Sequence, residues 1–318
     1  MTSRWVDGVH EISFSIIIPT YNRPRFLASC LESVAAQDYP SALVDVVVVD
    51  DGSDAPLDAT IAPYRARLPV MLVRQDHGGP GAARNTGAAQ GSGEFLVFLD
   101  DDCRPARDWL QALARHLKSS PDTVVGGPMS NGLPDNIYAV ASSLLIEAAS
   151  TYFNTDPSRA TNLITGNLAL SRADFHRVGG FDDTLMTAED RDFCDRCREQ
   201  GCRLVYAGDA VVWHDRPLTF RTFWAQHVEY GRGTFDYHRR RAERGTTRVS
   251  FDGGFYVHLV RYPLVHRRPR ALALSVLLGL TQVAKTVGLL RQRMRRAGRR
   301  SMPSLEQERP LEQESHRG

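Results

Sequence analysis

Residues 95–105 read FLVFLDDDCRP: five apolar residues, then the carboxylates Asp100, Asp101 and Asp102 in a row, then a turn. An uninterrupted apolar run of this length suits a strand buried on both faces. Three adjacent acids at its end need a positive partner, because like charges repel and a buried unpaired carboxylate is costly. Working outward, FSIIIP (14–19) and VDVVVVDD (44–51) are runs of the same kind, and LPVMLVRQ (68–75) reads as a further strand. Between them, RPRFLASCLESVAAQ (23–37) spaces Phe26, Leu27, Leu31 and Val34 as one face of a helix, and GAARNTGAAQ (81–90) reads as a helix opened by a glycine-rich loop. Strands alternating with helices predict an α/β fold: a doubly wound, mostly parallel sheet with helices on both faces. Ligands of such sheets bind beyond the carboxyl ends of the strands. Tyr21, Asp51 and Asp100–Asp102 all fall there.

The second half is less regular. RDWLQALARHL (107–117), NIYAVASSLLIEAAS (136–150) and AEDRDFCDRCREQG (188–201) read as helices, TVVGGP (123–128) and CRLVYAG (202–208) as strands, and NLITGNLALSR (162–172) as a strand pair or an extended segment. The aromatic and basic stretch 221–245 reads as a helix packed on the body. Five cysteines at irregular spacing exclude a disulfide framework and favour a reducing compartment, and MTSRWVDGVHEIS lacks the apolar core of a signal peptide. Cys194-x-x-Cys197 with Cys202 lacks a clear second ligand pair for zinc and reads as core and surface cysteines.

Charge is distributed unevenly. The chain totals +2, yet residues 261–300 carry ten Arg and one Lys with no acid, and the tail 301–318 carries −2, which leaves −7 for residues 1–260. A basic segment on an acidic body implies an anionic surface as partner. LALSVLLGLTQVA (272–284) lies between the arginine clusters and is short for a span of ~20 residues. An amphipathic helix lying on an anionic leaflet fits it, with a packed core helix as the plain alternative. The apolar centre argues against a nucleic-acid arm.

IIPTYNRP (17–24), VVVDDGS (47–53), GPGAARNTGAAQGSGEFLVFLDDD (79–102) and AEDRDF (188–193), in that order, resemble the family-2 glycosyltransferases of GT-A fold, over about the first 215 residues. The resemblance implies an inverting enzyme that uses a nucleoside-diphosphate sugar, with UDP favoured, and a lipid-linked or glycan acceptor. A diphosphate and three carboxylates share a pocket only around a cation, and Mg²⁺ or Mn²⁺ takes such oxygen ligands. By resemblance Asp102 is the metal ligand, Asp100 contacts the ribose or the ion, and Asp101 stays open. His214 in VVWHDRP reads either as a further metal or diphosphate contact or as a histidine packed beside Trp213.

Pro19, Thr20 and Tyr21 follow the first strand, where relatives hold the base. Asp51 is placed to accept from the base, or else it caps a turn. Arg84 supports the diphosphate or pairs with the strand-end acid. Asp190 is the expected base toward the acceptor hydroxyl, with Glu189 orienting it, although acids also favour a first helical turn for the dipole alone. Gly166 and Asn167 resemble the segment lining the acceptor side.

The implied organisation is a nucleotide-sugar half (1–105), an acceptor and catalytic half (106–217), packed helices (218–260), a basic membrane-associating segment (261–300) and a disordered tail (301–318). The expected location is cytoplasmic, peripheral on the membrane. A nucleotidyltransferase would share a carboxylate-bound metal but wants a Gly-rich loop with Lys after the first strand, which PTYNRP lacks. A non-catalytic nucleotide-binding protein at the membrane is the other alternative.

Overall fold

The computed structural model describes residues 5–6, 9–246, 252–266 and 268–300, so the tail expected at 301–318 lies outside the described residues. A short strand pair, β1 (Trp5–Val6) and β2 (Val9–His10), comes first. The first half of the main sheet follows as β3 (Phe14–Thr20), α1 (Pro24–Ala35), β4 (Val44–Asp50), the single turn α2 (Asp58–Ile61), β5 (Val70–Arg74), α3 (Pro80–Gln90) and β6 (Phe95–Leu99). Next come β7 (Cys103–Pro105), α4 (Trp109–Ser119), β8 (Thr123–Gly126), β9 (Met129–Asn131), α5 (Ile137–Phe153), β10 (Asn167–Ser171), α6 (Arg172–Val178), α7 (Glu189–Glu199), β11 (Arg203–Tyr206) and β12 (Val212–His214). Three helices close the described chain: α8 (Phe220–Glu243), α9 (Gly253–Val265) and α10 (Ala271–Arg300).

Seven strands form the main sheet in the order β11-β8-β10-β6-β3-β4-β5. The pairs β3–β4, β4–β5, β3–β6 and β8–β11 are parallel, and only β10 runs antiparallel to its neighbours. Of the stretch 162–172, expected as a strand pair or an extended segment, Asn167–Ser171 forms one strand. Its direction follows from where the chain enters: Asn167 pairs with Leu99, so β10 starts at the carboxyl end of β6 and must run back along it.

The apolar runs are buried because both faces are covered. Phe14, Ile16 and Ile18 of β3 pack with Leu27 and Leu31 of α1 and with Trp109 of α4. Ile17 faces the other side, with Ala83 and Ala88 of α3 and the Phe175–Phe181–Phe193 cluster. From β3 the chain steps outward to β4 and β5, then returns across β3 to β6. That reversal makes the carboxyl ends of β3 and β6 the crevice of the sheet. A second sheet, β7-β12-β9, adds a wall: His214 pairs with Cys103 on one side and with Asn131 on the other.

A third core joins α5, α8, α9 and α10 through Leu144, Phe223, Leu259, Tyr262, Leu274 and Leu278. The apolar centre of α10 has one buried face, carrying Leu274, Leu278, Thr281 and Ala284, and one exposed face. The buried face meets α8 closely. A Cβ on Gly231 would collide with the Lys285 carbonyl, and one on Gly288 with the Val228 carbonyl. By length and composition, Ala271–Ala297 is apolar enough to cross a membrane, and 39% of its apolar window is buried within the protein.

Candidate active site

The three aspartates fan apart at the end of β6. Asp100 Oδ1 accepts from Arg84 Nη2 at 2.6 Å. Asp101 turns toward β3, where Thr20 Oγ1 donates to Oδ2 at 2.7 Å and Arg23 Nη1 to Oδ1 at 3.1 Å. Asp102 accepts from the same Arg23 nitrogen at 3.2 Å and lies 3.3 Å from His214 Nε2. The apparent electrostatic conflict of FLVFLDDD is thus met by Arg84, Arg23 and His214. Desolvation dominates at Asp101, and with Asp102 beside it the carboxyl is pushed up to about 6. Burial also acts on Asp102, but His214, Arg23 and Arg216 outweigh it and hold the carboxyl down at about 2.

Arg84 reaches in the other direction as well: Nη1 donates to Glu189 Oε1 at 2.7 Å. Its neighbour Asn85 clamps the same loop, donating to the Phe181 carbonyl at 2.9 Å and accepting the Phe181 amide at 2.8 Å. The Arg84–Asn85 pair on α3 thereby fixes the segment that leads into α7. Ala188, the residue before Glu189, has φ 67°, a left-handed conformation unusual for a residue with a side chain. Such backbone strain is retained where surrounding contacts hold it, often at functional sites.

Glu189 is buried, and desolvation pushes its carboxyl up to about 7 against the pull of Arg84. Asp190 is partly buried; Oδ1 accepts the Arg191 amide at 2.8 Å, and among the described residues no side chain is hydrogen bonded to it. Burial raises its carboxyl above the ordinary range. The far side of α7 is tied to α8: Arg244 donates to Asp192 at 2.5 Å, Arg241 pairs with Asp195, and Tyr237 donates to Asp195 at 2.5 Å.

At the carboxyl end of β3, Pro19 and Thr20 are the last residues of the strand, and the exposed Tyr21 ring stacks on His77 with centroids 4.3 Å apart. Asp51 organises the loop before α3. Its carboxylate accepts from Gln75 Nε2 and from the Gly78 and Gly79 amides at 2.8–2.9 Å, and lies 2.9 Å from His77 Nδ1. The Asp51 carboxylate thus caps the loop that leads into α3.

Asn167, expected on the acceptor side, is fully buried. Its amide accepts from Trp109 Nε1 at 2.8 Å and donates to the carbonyls of Pro128 and Ala210, so its polar atoms are committed to joining α4 to the β8–β9 and β11–β12 links. Gly166 does face the site: a Cβ there would meet Asp100 Oδ2 at 2.7 Å and the Met129 thioether at 3.0 Å.

The donor set suits a hard divalent cation. Ligand atoms of Asp100, Asp102 and Cys103 lie within 4.8 Å of one another. Burial pushes the Cys103 thiol well up, so it stays protonated and the carboxylate oxygens are the available anionic donors. The five cysteines are all buried and free, so Cys194, Cys197 and Cys202 are core residues and not surface ones. Arg23 and His77 were not singled out from sequence. Arg23 precedes the helix-starting Pro24, a position that reads as a cap, and His77 sits in a glycine-rich loop that reads as backbone binding.

The sequence matches the profile of glycosyl transferase family 2 over residues 15–179, and that of the N-terminal domain of galactosyltransferase over 148–211. The chain belongs to glycosyl transferase family 2. It is 30% identical over 231 residues to the pre-mycofactocin glycosyltransferase of Mycobacterium tuberculosis, covering 71% of this chain and 47% of that protein. It is 29% identical over 202 residues to glycosyltransferase AglE of Haloferax volcanii, covering 63% of this chain and 66% of AglE. The chain thus spans about half to two thirds of these relatives' length.

Among solved structures, the fold matches a mannosyltransferase of Pyrobaculum calidifontis, in complex with GDP-Man and Mn²⁺, at TM-score 0.59 and 21% identity over 90% of this chain and 80% of that one. Staphylococcus aureus TarS 1–349 in complex with UDP-GlcNAc matches at TM-score 0.54 and 19% identity over 90% of this chain and 92% of that one. These likenesses bear out the doubly wound sheet with helices on both faces.

Proposed function

We propose that this chain is an inverting glycosyltransferase that moves a sugar from a nucleoside diphosphate, with UDP the first choice, to a hydroxyl of a lipid-linked or glycan acceptor. The observation that carries this reading is the single guanidinium of Arg84, which joins the acid triplet at the donor end of β6 to the acidic turn that carries Asp190. Donor and acceptor chemistry are thereby held in one frame. Asp190 has the properties of a general base: a carboxyl raised by burial against the pull of Arg191 and Arg84, and no side chain hydrogen bonded to it among the described residues. It takes the proton from the acceptor hydroxyl as that oxygen attacks the anomeric carbon from the face opposite the leaving diphosphate. Glu189, locked to Arg84, positions it. Arg23, partly exposed beside Asp101 and Asp102, is the chain's own cation toward the departing diphosphate.

Asp102 and Asp100 are the residues that would hold Mn²⁺ or Mg²⁺, with His214 beside them. Such an ion supplies charge stabilisation for the leaving diphosphate. Tyr21 and His77 offer a stacked aromatic surface to a base, and the two solved neighbours carry different bases, guanine in GDP-Man and uracil in UDP-GlcNAc. We place the enzyme on the cytoplasmic face of a membrane, with the exposed Leu272, Val276 and Val283 of α10 and the flanking arginines toward an anionic leaflet.

The test is a panel of UDP-, GDP- and dTDP-sugars, each with Mn²⁺ and with chelator, read by thermal shift and by donor hydrolysis. A metal-dependent response to one base class is expected. Silence across the whole panel would overturn the reading.

A further inference from the structure

Helix α8 meets α7, and the turn before it, through one face. Tyr237 and Arg241 reach Asp195, and Arg244 reaches Asp192. Gly233 lies against the turn itself: a Cβ there would collide with the Oγ1 and carbonyl of Thr187, two residues before Glu189. Thr187 in turn donates its hydroxyl to the Glu229 carbonyl of α8 at 3.2 Å. Tyr230, Gly233, Tyr237, Arg241 and Arg244 follow one another at three- and four-residue steps, so they share one stripe of the helix. Tyr230 is the first of that stripe, one turn beyond the contact with Thr187.

Its ring is held from behind. His227, fully buried, meets it edge to face with centroids 5.5 Å apart, and Phe223 backs His227 at 4.6 Å. The Tyr230 side is open: the residue is 38% exposed, and its hydroxyl has no hydrogen-bond partner among the described residues.

The charges that act on that hydroxyl are Arg216, Asp190, Asp102 and Asp100. Two of these acids follow β6 and the third is the candidate base, so the phenol faces the gap between the acid triplet and the acidic turn. Burial, together with the acids, pushes the phenol up to about 12, which leaves it a neutral group that both donates and accepts. Arg216, just past β12, also acts on Asp102 and His214, and Arg23 stands beside Asp101 and Asp102. Cations for a diphosphate are therefore already in place, and a neutral phenol adds none. In an in-line displacement the group between leaving diphosphate and attacking oxygen is the sugar ring. Its hydroxyls need partners that donate and accept, which a phenol supplies and a guanidinium does not.

We propose that Tyr230 is a further substrate-contacting residue, whose phenol hydrogen-bonds a hydroxyl of the transferred sugar and helps decide which sugar the enzyme accepts. This adds a residue to the donor site and so rests on the glycosyltransferase reading above.

The test uses the full chain with Tyr230→Phe, which removes the hydroxyl and keeps the ring against His227. The probes are the UDP-, GDP- and dTDP-sugars of the panel above with Mn²⁺, each paired with its bare nucleoside diphosphate. In calorimetric titration the variant should bind the nucleotide sugar at least ~5-fold more weakly, the worth of about one neutral hydrogen bond, and the bare diphosphate as tightly as the parent does. The kcat/KM for donor hydrolysis should fall at least ~10-fold at an unchanged melting midpoint. Equal affinity and equal kcat/KM in parent and variant would overturn the proposal and leave the enzyme reading standing. An equal loss for the bare diphosphate would place the phenol on the phosphates and overturn it as well. A lowered midpoint with kcat/KM unchanged would give the hydroxyl to the fold, with the same result. Silence of the parent across the panel would overturn the enzyme reading and this proposal with it.

Discussion

Arg84 and Glu189 are 105 residues apart in the chain and 2.7 Å apart in space, both buried, with Asp100 on the guanidinium's other edge. Arg84→Met should leave two carboxylates facing each other without compensation. Breaking a buried ion pair by removing one partner costs about 3–5 kcal/mol, so a markedly lower unfolding midpoint in urea is expected. Arg84→Lys keeps the charge but offers no planar fork. It should retain more stability than Met while losing activity by at least ~10-fold, measured as kcat/KM for donor transfer. A Met variant as stable as the parent would show that the bridge is not a structural necessity.

Asp190→Asn should lower transfer by about 10²–10⁴-fold, the usual contribution of a positioned base, while UDP-sugar binding by calorimetry changes little. The pH dependence has a definite sign. A base must be unprotonated, burial raises this carboxyl, and activity should therefore fall on acidification at a pH above the ordinary carboxylate range near ~4. In the Asn variant that acidic limb should vanish from the kcat/KM profile.

Asp102→Asn should abolish the gain in thermal stability conferred by Mn²⁺ together with UDP. A ligand at ~100 times its Kd stabilises the native state by about 2.7 kcal/mol, which a melting curve resolves as several degrees. The parent protein should lose the same shift on addition of chelator. Asp101→Asn should keep the shift, because that carboxylate faces Thr20 and Arg23 on the β3 side.

Asn167→Leu separates scaffold from substrate contact. The change strands Trp109 Nε1 and the carbonyls of Pro128 and Ala210, each buried loss costing about 1–3 kcal/mol. Lowered stability with an unchanged acceptor KM in the folded fraction is expected. A raised KM at unaltered stability would return Asn167 to the acceptor side.

Leu272→Glu, Val276→Glu and Val283→Glu change only exposed positions of α10. Each buried aliphatic side chain is worth roughly 1.5–3 kcal/mol on transfer from water. The triple variant should therefore lose at least ~10²-fold in affinity for phosphatidylserine-containing vesicles, with its circular dichroism unchanged. Unchanged co-sedimentation would refute the membrane role of this face.

What could be read from the chain alone divides along a physical line. The strands β3, β4 and β6 were legible because double-sided burial makes them continuously apolar, and the acids were legible because a triplet at the end of such a run is costly unless answered. Hydrophobic runs carry no direction, so β10 could not be known as the antiparallel strand. The scaffold bonds of Asn167 were not legible because its partner is Trp109, 58 residues away, and no local pattern announces a buried amide. Arg23 was missed for the opposite reason: beside Pro24 it had an adequate local explanation. In α10 the apolar stretch showed that something would be covered, but not that one face would go to α8 and the other outward.

The contact at Gly231 and Gly288 leaves almost no play between α8 and α10, and α8 is in turn fastened through Tyr237, Arg241 and Arg244 to the acids of α7. If α10 rests on a leaflet as proposed, that stack would act as a gauge. It would set the height of Asp190 above the membrane plane, so acceptors would be sorted by how far their hydroxyl stands from the lipid surface as well as by their chemistry.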